Sequence, residues 1–71
     1  MRVNIAPQWK NLVRWYWDSV EGKNIRDRGM SIWAMLEQDY NAIKAYQDPA
    51  GGQCAIFPDE ATYAFFLLRW S

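Results

Sequence analysis

The sequence predicts a small α+β domain with two helices, a short antiparallel β-hairpin and a C-terminal helix, all within one domain spanning residues 1–71. Three observations support this fold class. Apolar side chains recur with helical spacing in residues 7–21 and again after residue 31. Residues 48–52 form a turn-forming run between two short segments that suit strands. Pro58 and the acidic pair after it precede a final apolar segment, as expected at a helix start.

The first predicted helix spans about residues 7–21. Pro7 suits its first turn because the missing N–H has no helical partner there, and Gly22 is placed to end it. One apolar stripe follows the i, i+3, i+4, i+7 spacing and consists of Trp9, Leu12, Val13, Tyr16, Trp17 and Val20. Residues 1–5 alternate between apolar and polar side chains, which indicates either a very short strand or an extended arm.

Trp15 lies off this stripe, about 130° from its centre at 100° per residue. A helix that packs through the stripe leaves the Trp15 indole largely in water. Because tryptophan is enriched at binding hot spots, we predict Trp15 and the neighbouring Arg14 as partner-binding residues. The alternative is that a later segment of the chain covers Trp15.

Residues 23–29 are polar, charged and bounded by glycines, which predicts a connecting loop. Ser31 is a suitable N-cap for the second helix. The inner stripe of that helix consists of Ile32, Trp33, Leu36 and Tyr40. Asn41 can close the helix in the left-handed conformation.

Residues 42–47 are predicted to form a strand that is hairpinned to residues 53–57, since the second segment resembles a buried strand and needs a pairing neighbour. In the alternative, the second helix continues through Ile43 and Tyr46, which also fit a 3.6-residue period. That alternative gives an all-α fold of three helices.

The C-terminal helix, predicted for about residues 59–69, is apolar on two sides. We assign one side to the core, and it consists of Ala61, Ala64, Phe65 and Leu68. The nearly opposite side consists of Tyr63, Phe66 and Trp70. Twelve aromatic residues are more than one core of 71 residues needs, so we predict that this second side binds a partner or a second copy.

The charges balance, with eight basic and eight acidic residues, so no overall field attracts nucleic acid or an anionic membrane. Residues 1–28 carry six cations and three anions, whereas residues 29–71 carry two cations and five anions. These halves either attract one another, within the fold or across a dimer, or the first half offers a basic surface to a partner.

A single cysteine excludes an intramolecular disulfide and is typical of a reducing compartment. No apolar run approaches the roughly 18 residues that a membrane helix needs. Residues 1–7 also lack an apolar segment of signal-peptide length. We therefore expect a soluble, cytoplasmic protein without a membrane partner.

The sequence contains no histidine, which removes the usual general base near neutral pH and the commonest metal ligand. Cys54 lies among apolar residues and is predicted to be a small buried hydrophobe rather than a nucleophile. The carboxylates do not have the spacing of a calcium loop. We expect no enzymatic activity, no cofactor and no metal.

Binding of single-stranded nucleic acid is the alternative function, although the neutral total charge makes nucleic acid an unlikely partner. A stacking ring at Trp15 together with nearby cations is the composition that such proteins use. The cations are Lys10, Arg14, Lys23, Arg26 and Arg28.

Residues 56–70 read Ile-Phe-Pro-Asp-Glu-Ala-Thr-Tyr-Ala-Phe-Phe-Leu-Leu-Arg-Trp, and residues 36–42 read Leu-Glu-Gln-Asp-Tyr-Asn-Ala. Together they resemble the carboxyl end of small uncharacterised proteins of tailed bacteriophages, including cyanophages, in which an acidic pair opens the last helix and the chain finishes near Phe-x-Leu-Arg-Trp. The resemblance covers roughly half of the chain, and it implies a phage origin and an α+β unit but no functional residue. We therefore expect a phage-encoded module that binds and modulates a host protein in the host cytoplasm.

Overall fold

A computed structural model describes residues 1–45 and 52–71, and within them the chain forms four helices and a three-stranded antiparallel sheet. The helices are α1 (Ala6–Asp18), α2 (Val20–Asp27), α3 (Ile32–Tyr40) and α4 (Glu60–Trp70). The strands are β1 (Arg2–Asn4), β2 (Ile43–Lys44) and β3 (Cys54–Ile56). The α+β class is confirmed, and the all-α alternative is wrong.

The central strand of the sheet is β3, and it pairs with β1 on one side and β2 on the other. Val3 lies opposite Ala55, and Ile43 lies opposite Ile56. The predicted pairing of the two hairpin segments is therefore confirmed, and the start of the chain is a strand rather than a free arm. Of the predicted turn at 48–52, only Gly52 lies within the described residues. Tyr46 also lies outside them.

Three helix ends are set by local side-chain chemistry. The Ser31 hydroxyl accepts the Ala34 N–H at 3.1 Å at the start of α3, and Asn41, with φ of 51°, closes that helix. At the start of α4, the Asp59 carboxylate accepts the Thr62 N–H at 2.8 Å and the Thr62 hydroxyl at 2.7 Å. These two bonds hold the pKa of the Asp59 carboxyl below its ordinary value. The three predicted end positions are confirmed.

The prediction of one helix to residue 21 followed by a loop is wrong, because α1 ends at Asp18 and most of the predicted loop belongs to α2. Ser19 forms the junction between the two helices. Its hydroxyl donates to the Trp15 carbonyl at 2.6 Å and accepts the Gly22 N–H at 2.9 Å, so one side chain serves the end of α1 and the start of α2.

The two glycines at the ends of the predicted loop have other roles. Gly22 lies inside α2, where a Cβ would sit 2.5 Å from the Tyr16 carbonyl oxygen and closer still to that of Trp15. Only glycine lets the two helices approach this closely. Gly29, with φ of 77°, ends α2, and the next N–H, that of Met30, donates to the Ile25 carbonyl at 3.0 Å.

The core lies between the sheet and helices α1, α3 and α4. Its fully buried large side chains are Ile5, Leu12, Leu36, Phe57 and Phe66. Two polar atoms in the core satisfy one another, since the Trp70 indole N–H donates to the Tyr40 hydroxyl at 3.2 Å. Cys54 is buried with a free thiol, as predicted.

The predicted stripe of α1 is only partly correct. Leu12 is fully buried and Tyr16 is half-buried, but Trp17 is 60% exposed and Val20 is 78% exposed. The stripe fails at its end because the helix stops at Asp18, and the corner at Ser19 gives Val20 a new direction.

Candidate protein-interaction site

The two sides of α4 are the reverse of the predicted ones. Phe66 is fully buried and Trp70 nearly so, whereas Phe65 is 66% exposed and Leu68 is 82% exposed. The Phe66 ring packs against Phe57 at a centroid distance of 5.1 Å. The aromatic side buries more apolar area than the alanine-containing side would, which explains why it faces the core.

The predicted partner contacts of Phe66 and Trp70 are therefore incompatible with this structure, whereas that of Tyr63 stays a prediction. Phe66 and Trp70 are not accessible to another protein. Tyr63 is half-buried, and its ring packs against Phe57 at 5.3 Å.

Trp15 is also covered by α4, which is the alternative considered for it, and the expectation that its indole lies in water is wrong. Its ring meets that of Trp70 edge to face at 5.2 Å. The Arg69 guanidinium lies 5.3 Å from the Trp15 ring and 4.6 Å from the Trp70 ring. Arg69 also pairs with Glu21 at 3.5 Å, an ion pair that joins a cation of the acidic half to an anion of the basic half.

The exposed indole of α1 belongs to Trp17. Lys10, Arg14 and Trp17 are spaced by four and three residues, so they share the outer face of the helix, and all three are exposed. The predicted role of Arg14 at an accessible position is thus compatible with the structure. The helical period did not identify Trp17 as an exposed residue, because position 17 also fits the end of the inner stripe.

The Trp17 ring is held in place by Arg26 of α2. The Arg26 Nε donates to the Tyr16 carbonyl at 2.8 Å, and an Nη donates to the Trp17 carbonyl at 3.3 Å. The guanidinium then lies 4.9 Å from the centroid of the Trp17 ring. Its positive charge is well placed at the negative end of α1.

Tyr16 supports the same arrangement from the other side. Its ring stands perpendicular to that of Trp17 at 5.2 Å, and its hydroxyl donates to the Met30 carbonyl at 2.7 Å. We call the surface formed by Lys10, Arg14, Trp17 and Arg26 the Trp17 surface.

The five cations predicted to bind nucleic acid do not share one surface. Lys10 and Arg14 lie on the outer face of α1, and Arg26 is used at the end of that helix. Arg28 instead lines a cleft of about 280 Å³ that also includes Glu21 and Asp39. Lys23 is exposed on α2.

No protein-family model, curated protein or solved structure matches this chain. Across residues 1–45 and 52–71, none of the helices is both long enough and apolar enough to span a bilayer. The same residues bring together no group of three or more side chains suited to a metal ion.

Proposed function

We propose that the protein is a non-enzymatic protein-binding module whose Trp17 surface contacts an acidic region of its partner. The observation that carries this proposal is the exposed Trp17 indole, which is fixed by Arg26 rather than left to move freely. Tryptophan and arginine are the residue types most enriched at binding hot spots.

Because the Trp17 ring is already fixed before binding, the Trp17 surface favours tight contact. Binding orders flexible side chains at an entropic cost, and a ring that is already held by a neighbouring guanidinium loses less freedom. Lys10 and Arg14 extend the surface along α1 and add positive charge. An acidic partner is therefore attracted electrostatically, and that attraction weakens with salt.

We further propose that the partner is a host protein that the module modulates in the host cytoplasm. This part of the proposal is supported by the resemblance of residues 56–70 to small proteins of tailed bacteriophages. The exposed Trp17 surface supplies the contact that such a role requires.

Capture from a bacterial lysate tests the proposal with three forms of the immobilised protein. We expect the wild type to retain a specific protein, and Trp17→Ala to retain at least about tenfold less of it, the loss expected for a hot-spot residue. The matched control is Leu68→Ser, which removes an even more exposed apolar side chain on α4 and should leave capture unchanged. Capture that Trp17→Ala does not weaken would contradict the proposal.

Single-stranded nucleic acid is the second candidate partner, because an exposed indole beside Lys10 and Arg14 also suits base stacking and phosphate contact. Binding to a labelled oligothymidylate of about 16 nucleotides tests it. This candidate requires binding that falls with salt and with Trp17→Ala. Absence of binding at low salt removes it.

A further inference from the structure

The outer face of α4 is apolar along its whole length. Its members all face water and lie within a sector of about 100° in helical projection. They are Ala61, Ala64, Phe65 and Leu68. The charged residues of this helix, Glu60 and Arg69, flank the face near its two ends. A helix on the surface of a domain normally turns charged and polar side chains outward, so this face is suited to a partner.

We infer that this face pairs with the same face of a second copy of the chain, in antiparallel orientation about a two-fold axis. The sequence of α4 is self-complementary when the axis passes between the levels of Ala64 and Phe65. Leu68 of each copy then lies level with Ala61 of the other, so that a large side chain meets a small one. The two Phe65 rings meet at the axis, as an isologous interface requires.

The helix dipoles of the two α4 segments favour this orientation over a parallel one. Antiparallel pairing keeps the two Glu60 carboxylates about 13 Å apart along the helix axis, and each Arg69 stays paired with Glu21 of its own chain. Parallel pairing would align the two helix dipoles unfavourably. The zero net charge of the chain adds no overall repulsion between copies.

The size of the face sets the strength of the dimer. The four side chains expose on the order of 300 Å² of apolar area per copy, which is less than the roughly 800 Å² per partner of a stable interface. We therefore expect a weak, reversible dimer that forms only at high protein concentration. This inference is independent of the proposed function, since Trp17 lies on another helix.

Disulfide trapping tests the geometry in a full chain that carries Cys54→Ala, which removes the natural thiol. Ala64→Cys places two thiols near the two-fold axis. Ala61→Cys places them about 10 Å apart along the axis, beyond the roughly 7 Å of Cα separation that a disulfide can bridge. Under mild oxidation, Ala64→Cys should form the covalent dimer at least about tenfold faster, given that difference in reach. Equal rates, or faster trapping of Ala61→Cys, would overturn the inference.

Sedimentation of the unmodified chain over a range of concentrations tests the association itself. The apparent mass of the wild type should rise from 8.4 kDa toward twice that value. Val20→Ser is the matched control, since Val20 is exposed on α2, and it should behave like the wild type. Leu68→Ser should dissociate at least about tenfold more readily. A wild type that stays monomeric at millimolar concentration, or a dimer that Leu68→Ser does not weaken, would overturn the inference.

Discussion

Trp15 and Trp17 are two residues apart on α1 and have different surroundings. Trp15 lies on the flank that α4 covers, against Trp70 and Arg69, whereas Trp17 lies on the opposite flank and meets only Tyr16 and Arg26 among the ring and cation contacts of the described chain. The helical period places both near an apolar stripe, but it does not say on which flank another helix packs. The sequence therefore predicts that the candidate site involves an indole of α1 beside Arg14. It does not distinguish Trp15 from Trp17.

We predict that Gly22→Ala destabilises the protein by roughly 2 kcal/mol or more, because the new methyl group meets two backbone carbonyl oxygens that cannot move separately. Gly29→Ala is the comparison. Its Cβ meets no atom within 4 Å, so only the left-handed φ is unfavourable, and the cost should be about 1 kcal/mol. Urea unfolding measures both, and a smaller loss for Gly22→Ala than for Gly29→Ala would contradict the account of the corner.

The lowered pKa of Asp59 predicts that the stability of the protein depends on pH through this carboxylate. Its pKa in the folded protein is lower than the ordinary value of 3.8, owing first to the Thr62 N–H and then to the Thr62 hydroxyl. The folded state therefore binds the proton less tightly, so Asp59 stabilises the fold at pH values above its ordinary pKa. That contribution is lost as the pH falls through the folded pKa.

The variant Asp59→Asn keeps a capping oxygen but cannot titrate. Between about pH 5 and about pH 3, the free energy of unfolding should therefore fall more steeply for the wild type than for the variant. Urea unfolding at several pH values measures this difference. Parallel curves for the two proteins would show that Asp59 does not contribute.

At the scale of elements, α4 shows where a periodic pattern is insufficient. Both of its faces are apolar, so the pattern predicts the helix and its start at Asp59 but not its rotation. The rotation follows from contacts with distant segments, since Phe66 fits between Phe57 and Tyr40. Local signals predicted the caps of α3 and α4, whereas α2 was missed because its polar composition resembles a loop.

We predict that Phe66→Ala costs roughly 4 kcal/mol, the value expected for a large cavity in a core, and a large part of the stability of a domain this small. Phe65→Ala, the matched change one residue earlier, should cost about 0.5 kcal/mol or less because the ring faces water. Thermal unfolding compares the two variants. Similar losses would contradict the observed rotation of α4.

Arg26 connects α2 to the end of α1, and its removal should weaken both the corner and the Trp17 surface. We predict a loss of about 1–2 kcal/mol for Arg26→Ala, from the hydrogen bonds to the Tyr16 and Trp17 carbonyls. Arg26→Lys keeps the charge but not the planar fork, so it should recover only part of the loss. Full recovery by lysine would show that charge alone matters. Chemical unfolding measures all three proteins.

At the scale of the whole molecule, the fold class was predictable because its signals are local: helical periods, caps and a pair of strand-like segments. The packing of the helices and strands against one another was not predictable in the same way. The pairing of β1 with β3 joins residues that are 50 or more positions apart, and the packing of α1 against α4 covers Trp15 through a similarly distant contact. A short sequence pattern does not indicate contacts between residues that are so far apart in the chain.

The exposed aromatic residues lie on two surfaces, the Trp17 surface and the outer face of α4. Of the aromatic residues within the described ranges, only Trp17 and Phe65 are largely exposed. The remaining rings in those ranges are buried or half-buried. The expected excess of rings is therefore present, but it lies at different residues from those predicted. Trp17 marks the surface proposed for a heterologous partner, and Phe65 marks the surface inferred for a second copy.

Photo-crosslinking in a bacterial lysate from a reactive amino acid placed at the exposed position of Asp18, next to Trp17, tests the central claim most directly. We predict a covalent product that contains a protein other than this chain and that disappears when Trp17→Ala is added. The same amino acid placed at Phe65 serves as the internal comparison and should give a product of two copies. Absence of a heterologous product from position 18, or a product that Trp17→Ala leaves unchanged, would contradict the claim that the Trp17 surface binds a partner.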